Sequence, residues 1–153
     1  SIAGGNTMVM NRAAFGLVRQ SLLAGTPVVH DWWCYIIVSG AGGLVHYDPK
    51  PLVDYRQHAG NLIGANDGWR ARLRRIGGLL AGRQRAWNDR HLGLLRQCAP
   101  LLTPEARTIA DMLAEMRTVP LLRRLVLLRK SGLYRQSRMG QVGLIFGCLL
   151  GRI

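Results

Sequence analysis

The residues best suited to chemistry in the first third of the chain surround the stretch His30-Asp31-Trp32-Trp33. A carboxylate such as Asp31 can act as a general base, and neighbouring aromatic rings can form the wall of a substrate pocket. A structural interpretation is also open, because Asp is a good N-cap whose carboxylate accepts hydrogen bonds from the first turn of a helix. We expect a helix from Asp31 to about residue 38, and the two roles are compatible because a helix N-terminus favours a carboxylate.

A second dense group of polar residues lies in the stretch Tyr55-Arg56-Gln57-His58-Ala59-Gly60-Asn61. Arginine offers a planar fork of donors suited to phosphate, and histidine offers a donor or a metal-binding nitrogen. On residue types alone, the pair Arg56 and His58 is more typical of ordinary hydrogen bonding than of a binding site. His46, which stands alone on a predicted strand, is interpreted as structural.

The elements that must position these residues form a small α/β portion followed by helices. A short strand is predicted over Thr7–Met10, followed by a helix that Asn11 caps and that ends at Gly25. The apolar face of this helix is predicted to comprise Phe15, Val18 and Leu22. Two short strands are predicted around the turn at residues 48–51. Helices are predicted in the rest of the chain, over 69–98, 104–117, 119–130 and 139–150.

The net charge of +13 is unevenly distributed along the 153 residues. Residues 1–65 carry four basic and three acidic side chains, whereas the remainder carries 17 basic and five acidic ones. This excess predicts an anionic neighbour, and three interpretations of the basic region are open. An anionic membrane surface is favoured, because leucine pairs alternate with arginine pairs over 120–130 and an apolar segment follows at 139–153. A solvated basic face that packs on another part of the protein comes second. Nucleic acid comes last and is not expected as a partner, because no known reader motif accompanies the arginines.

The cysteines and the ends of the chain exclude several classes of protein. Cys34, Cys98 and Cys148 are far apart and outside any C-x-x-C spacing, so neither a disulfide framework nor a zinc site is expected. No apolar run approaches the roughly 20 residues that span a bilayer. The chain has no N-terminal signal and does not begin with Met, so residue 1 is interpreted as a cut point inside a longer protein.

Taken in order, three motifs resemble one known family. The stretches GGNTMVMNR, HDWW and YRQHAGNLIGA, with G-x-x-x-Y between the last two, resemble the C-terminal half of family 2 glycosyltransferases. The similarity covers residues 3 to about 66 and is greatest to rhamnosyltransferase-like members that build bacterial cell-surface polysaccharide. It implies an α/β fold: the acceptor-side portion of a GT-A, Rossmann-like catalytic domain at 1–66, followed by a mostly α-helical basic region at 67–153.

The resemblance also implies roles for individual residues. Asp31 matches the general base, which removes the proton from the acceptor hydroxyl as it attacks the anomeric carbon with inversion. Trp32 and Trp33 would wall the acceptor side or pack beneath it. The residues that match the donor and acceptor pocket are Gly4, Gly5, Asn6, Thr7, His30, Trp32 and Trp33. The residues that match a diphosphate or metal loop are Tyr55, Arg56, His58 and Asn61, with His58 as the candidate metal ligand.

The sequence departs from the family at one important motif. No Asp-x-Asp, which would hold metal and diphosphate, occurs in the 153 residues. A divalent metal, Mg²⁺ or Mn²⁺, is therefore expected only with a missing N-terminal half, and the chain alone is expected to be inactive. The expected partners are a nucleotide-diphosphate sugar, a saccharide or lipid-linked acceptor, and the inner, cytoplasmic face of the plasma membrane. The alternative function is a non-catalytic basic helical module that binds a membrane or a partner.

Overall fold

A computed structural model describes Gly5, residues 7–50, Gly77, and residues 83–135 and 137–152. Within these residues the regular structure is helical. The helices are α1 (Arg12–Ser21), α2 (His30–Gly40), α3 (Arg83–Gln97), α4 (Pro104–Glu115), α5 (Leu121–Lys130) and α6 (Arg138–Leu149). Short 3-10 turns at Leu22–Ala24 and Ala99–Leu101 follow α1 and α3.

Three of these helices begin at polar caps that the sequence contains. The side chains of Asn11, Thr103 and Ser137 each accept a hydrogen bond from the backbone amide three residues later, at 2.8, 3.2 and 3.1 Å. Such bonds satisfy one of the free amides of a first turn. The predicted helices 104–117, 119–130 and 139–150 are confirmed, with ends that differ by no more than about two residues, which is the usual uncertainty of helix ends.

Two predicted strands are absent from the described residues. Thr7–Met10 and residues 44–50 contain no strand, and the side chains of Val9 and Leu44 are almost fully exposed. A strand requires a neighbouring strand to pair its backbone groups, and no such neighbour lies beside these segments in the described part of the chain. The second strand of the predicted pair lies outside the described residues. The α/β class of the whole domain stays a prediction.

The buried face of α1 differs from the predicted one. Val18 and Ser21 are buried, whereas Phe15 is 58% exposed and Leu22 is 46% exposed. The helical segment made by α1 and the 3-10 turn ends at Gly25, as predicted, and this residue has a φ of 134°. The backbone there favours glycine, and a side chain would in addition approach Leu94 of α3 at 3.0 Å.

The first hydrophobic cluster joins the N-terminal helices to the helical region. Trp33 and Ile37 of α2 pack with Leu94, Cys98 and Leu102, and Leu17 and Ala24 lie against them. The cluster therefore takes residues from both sides of the predicted boundary at 66/67.

The second cluster lies between the last three helices. Met116 follows α4, Leu127 and Leu128 lie on α5, and Cys148 lies on α6. Burial raises the pKa of the Cys148 thiol, so this residue behaves as a small apolar side chain. No helix within 7–50, 83–135 or 137–152 is both long enough and apolar enough to cross a membrane.

Candidate functional site

The start of α2 brings the first group of predicted site residues together. The helix begins at His30, with Val29 at the N-cap position, so Asp31 is its second residue and not its cap. The interpretation of Asp31 as the N-cap is therefore wrong, because the cap lies two residues earlier. Its Oδ1 still accepts a hydrogen bond from the Trp32 amide at 2.8 Å, which satisfies a free amide of the first turn. The partly exposed carboxylate is thus held at the positive end of the helix dipole.

Gly5 lies directly against the side chain of His30. A Cβ atom built at Gly5 would be 2.5 Å from His30 Nε2, so any side chain there would force the imidazole to move. These two predicted pocket residues are therefore neighbours, and the histidine is exposed to solvent. Thr7, also predicted for the pocket, is exposed two residues further on, whereas Gly4 and Asn6 lie outside the described residues.

Trp32 meets a second tryptophan that the sequence analysis did not assign to the site. Its ring lies edge-to-face on Trp87 of α3, with centroids 5.9 Å apart and planes at 68°. Both side chains are half-buried. The signal that could have found Trp87 is its spacing with His91, Leu94 and Cys98, which places all four on one face of a helix.

Trp33, the next residue of α2, lies in the core. Its side chain is 1% exposed, and its indole Nε1 donates to Ser21 Oγ at 2.9 Å. The Ser21 hydroxyl in turn donates to the Val18 carbonyl at 2.7 Å. Trp33 is therefore a core residue, and its position relative to an acceptor stays a prediction.

Helix α3 also holds the segment that leads into α2. Arg90 Nε donates to the Thr26 carbonyl at 3.0 Å, and the His91 ring packs against Trp33 with centroids 5.7 Å apart. His91 is buried, and its Nε2 has no hydrogen-bond partner among the described residues. Burial, and to a smaller extent the charge of Arg90, lower the pKa of His91 below its ordinary value.

The predicted diphosphate or metal loop cannot be placed. Tyr55, Arg56, His58 and Asn61 lie outside the described residues. In the segments that are described, no group of three or more His, Cys, Asp or Glu side chains could hold a metal ion. The described residues therefore offer no donor set for the expected Mg²⁺ or Mn²⁺.

Several arginines of the basic region bind other parts of the fold. Arg85 Nη1 donates to the Gly151 carbonyl at 2.9 Å. Arg124 donates to the carbonyls of Cys148 and Leu149 at 3.0 and 3.2 Å, and to that of Val119 at 3.2 Å. Cationic donors at a helix C-terminus stabilise its unpaired carbonyls. Part of the positive charge is therefore structural.

Comparison with known proteins identifies a relative over part of the chain. Over 61 residues the chain is 37% identical to the dTDP-rhamnosyl transferase RfbG of Shigella flexneri. The match covers 40% of this chain and 21% of that protein, so the chain aligns with about a fifth of the relative's length. No family model matches, and no solved structure matches. The chain has a glycosyltransferase-like relationship over the matched residues.

Proposed function

We propose that the chain is the acceptor-side part of an inverting glycosyltransferase of GT-A type. It would transfer a sugar, with rhamnose as the first candidate, from a nucleotide-diphosphate sugar to a saccharide or lipid-linked acceptor at the cytoplasmic face of the plasma membrane. The 37% identity to a dTDP-rhamnosyl transferase supports the sugar-transfer part of this proposal. The GT-A type, the inversion and the acceptor-side position are proposed from the resemblance of the three sequence motifs. The start of α2 supplies the residues for a mechanism.

In this mechanism Asp31 is the general base. A sugar hydroxyl is a poor nucleophile, and a carboxylate within hydrogen-bond reach lowers the barrier by taking its proton during attack. The acceptor oxygen forms a bond to the anomeric carbon from the side opposite the diphosphate, whose bond to that carbon breaks, so the configuration inverts. The Trp32 amide fixes Asp31 through Oδ1, which leaves Oδ2 for the proton.

The aromatic pair gives the acceptor a surface beside the base. Trp32 and Trp87 are both partly exposed, and Trp33, the next residue after Trp32, anchors α2 in the core. Aromatic faces suit the apolar faces of sugar rings, and pockets for small ligands are commonly lined in this way. Gly5 and His30 would complete the pocket on the other side of the helix start.

The remaining roles depend on residues outside the described segments. We propose that Arg56 neutralises charge on the diphosphate leaving group, and that Tyr55, His58 and Asn61 complete this loop. A divalent metal, when bound by the complete enzyme, would stabilise the same charge, with His58 as a candidate ligand.

The test is Asp31→Asn in the complete enzyme, with transfer and donor binding measured separately. We expect transfer to fall by about 10²- to 10⁴-fold, the usual contribution of a general base, while donor affinity stays within about twofold. Asp48→Asn is the matched control, because this exposed carboxylate accepts, among the described residues, one hydrogen bond, from the Lys50 amide at 2.9 Å. Near-normal transfer by Asp31→Asn, with an unchanged circular dichroism spectrum, would contradict the role of Asp31.

A non-catalytic module is the second candidate function. It is favoured by the apolar side chains that α5 and α6 leave exposed next to many basic residues. Transfer that depends on Asp31 would reject it, whereas failure of the complete protein to transfer sugar from any nucleotide-diphosphate donor would support it.

A further inference from the structure

Helix α6 is apolar on its outer as well as its inner side. Its inner side packs into the second cluster through Cys148, which is fully buried. Its outer side carries six large apolar residues with 39–77% of their surface exposed. These residues, which we name the α6 outer face, are Met139, Val142, Ile145, Phe146, Leu149 and, just after the helix, Leu150.

The α6 outer face is continuous. At about 100° per residue, its six members fall within one sector of roughly 140° around the helix axis. The only polar side chains of Arg138–Leu149 are those of Arg138 and Gln141. A helix that is apolar all round is normally covered on every side, so the outer face requires a non-aqueous partner.

The charged side chains from α5 to the last residue of the chain all have one sign. No acidic residue follows Glu115 in the sequence. The exposed residues Arg138 and Arg152 lie at the two ends of the helix, and Arg129 and Lys130 are exposed at the end of α5. A protein partner would have to supply many carboxylates at once, whereas an anionic bilayer presents a uniform negative surface.

Neither Arg138 nor Arg152 takes part in an ion pair within the part of the chain that the structure describes. Among the described residues the ion pairs are Arg117 with Asp89 and Arg123 with Glu115. Neither pair includes Arg138 or Arg152. Arg138 and Arg152 are therefore available to an external anion, and long arginine side chains can reach phosphate groups while the helix lies deeper.

We propose that the α6 outer face docks in the plane of an anionic lipid bilayer. Val142 and Phe146 enter the boundary between headgroups and acyl chains, and Arg138 and Arg152 contact lipid phosphates. The second cluster covers the inner side of this 12-residue helix, so only its apolar outer face and the flanking cations meet the bilayer, as in an interfacial helix. This inference rests on the exposure and charge of α6 and does not depend on the proposed transferase activity.

The apolar part of the proposal is tested with the two phenylalanines of the chain. Phe146 is 50% exposed on α6, and Phe15 is 58% exposed on α1, so they are matched in type and exposure. The 153-residue chain is sedimented with phosphatidylcholine vesicles that contain one part in about three of phosphatidylglycerol. Phe146→Ser should lower the partition coefficient about tenfold, and Phe15→Ser should leave it within about twofold. Equal effects of the two changes would overturn the assignment of the face.

The electrostatic part is tested with vesicles of phosphatidylcholine alone and with Arg138→Gln and Arg152→Gln. Each substitution should weaken binding to the anionic vesicles about fivefold and reduce its salt dependence, while Arg12→Gln on α1 should not. Equal binding of the unmodified chain to neutral and anionic vesicles would overturn the requirement for anionic lipid. Self-association that Phe146→Ser abolishes, without vesicle binding, would assign the face to a second copy and refute the proposal.

Discussion

Replacing Ser21 by alanine should leave the indole N–H of Trp33 without an acceptor in the core. Ser21 is fully buried and Trp33 is 1% exposed, so water cannot take the place of the hydroxyl without a rearrangement. An unsatisfied buried donor costs about 1–3 kcal/mol. The other bond of the hydroxyl, to the Val18 carbonyl, adds little, because the Leu22 amide still donates to that oxygen.

The measurement is urea unfolding followed by tryptophan fluorescence. With an m-value of about 2 kcal/mol per molar urea, a loss of about 2 kcal/mol lowers the midpoint by about 1 M. Ser39→Ala is the matched control, since this exposed serine of α2 only donates to backbone carbonyls of its own helix, chiefly that of Tyr35 at 2.6 Å. Its effect should stay within about 0.5 kcal/mol.

A double-mutant cycle separates the hydrogen bond from packing. In a Trp33→Phe background the donor is absent, so Ser21→Ala should be less destabilising there by about 1 kcal/mol or more. A midpoint shift for Ser21→Ala no larger than that for Ser39→Ala, or a cycle without coupling, would refute the role given to the bond.

Two further predictions concern stability. Arg124→Ala should cost about 2 kcal/mol in urea unfolding, because the carbonyls of Leu149 and Val119 lose their donor while that of Cys148 keeps the Gly151 amide. The neighbouring Arg123→Ala, which breaks an exposed ion pair, should cost at most about 1 kcal/mol. A larger loss of stability for Arg123→Ala than for Arg124→Ala would contradict the role of Arg124 at the end of α6. The lowered pKa of His91 means that the unfolded chain binds a proton that the folded chain does not, so its contribution to stability is complete above its ordinary pKa of about 6.5 and is lost as the pH falls below it. Urea unfolding measured between pH 7.5 and 5 should show this loss of stability, and His91→Phe should remove it. If the free energy of unfolding of His91→Phe depended on pH as steeply as that of the unmodified chain, the burial of a neutral His91 would be contradicted.

Local signals in the sequence predicted most of the helical structure. Asn11 and Gly25 bound the first helical segment because capping and left-handed backbone depend on residue type at one position. Thr103 followed by Pro104 marks the start of α4 for the same reason. The strand at Thr7–Met10 could not be judged in this way, because a strand depends on a neighbour that is distant in sequence.

The candidate site was predictable only where its members are neighbours in sequence. Asp31 and Trp32 are adjacent, so their pattern was visible, whereas Trp87 reaches Trp32 only through the packing of α3 on α2. The buried face of α1 was mispredicted because hydrophobicity favoured Phe15. The fold instead buries Ser21, a small polar residue whose hydroxyl is satisfied by Trp33.

The first hydrophobic cluster also constrains how such a protein can evolve. Trp33 and Ile37 of α2 share their contacts with Leu94 and Cys98, which lie after residue 66. A gene rearrangement that replaced all residues after 66 by an unrelated sequence would expose Trp33. Helix α2, which carries Asp31, would then lack its packing partners. The two segments must therefore be inherited together, and this part of the chain can diversify by point substitution more readily than by exchange of whole modules.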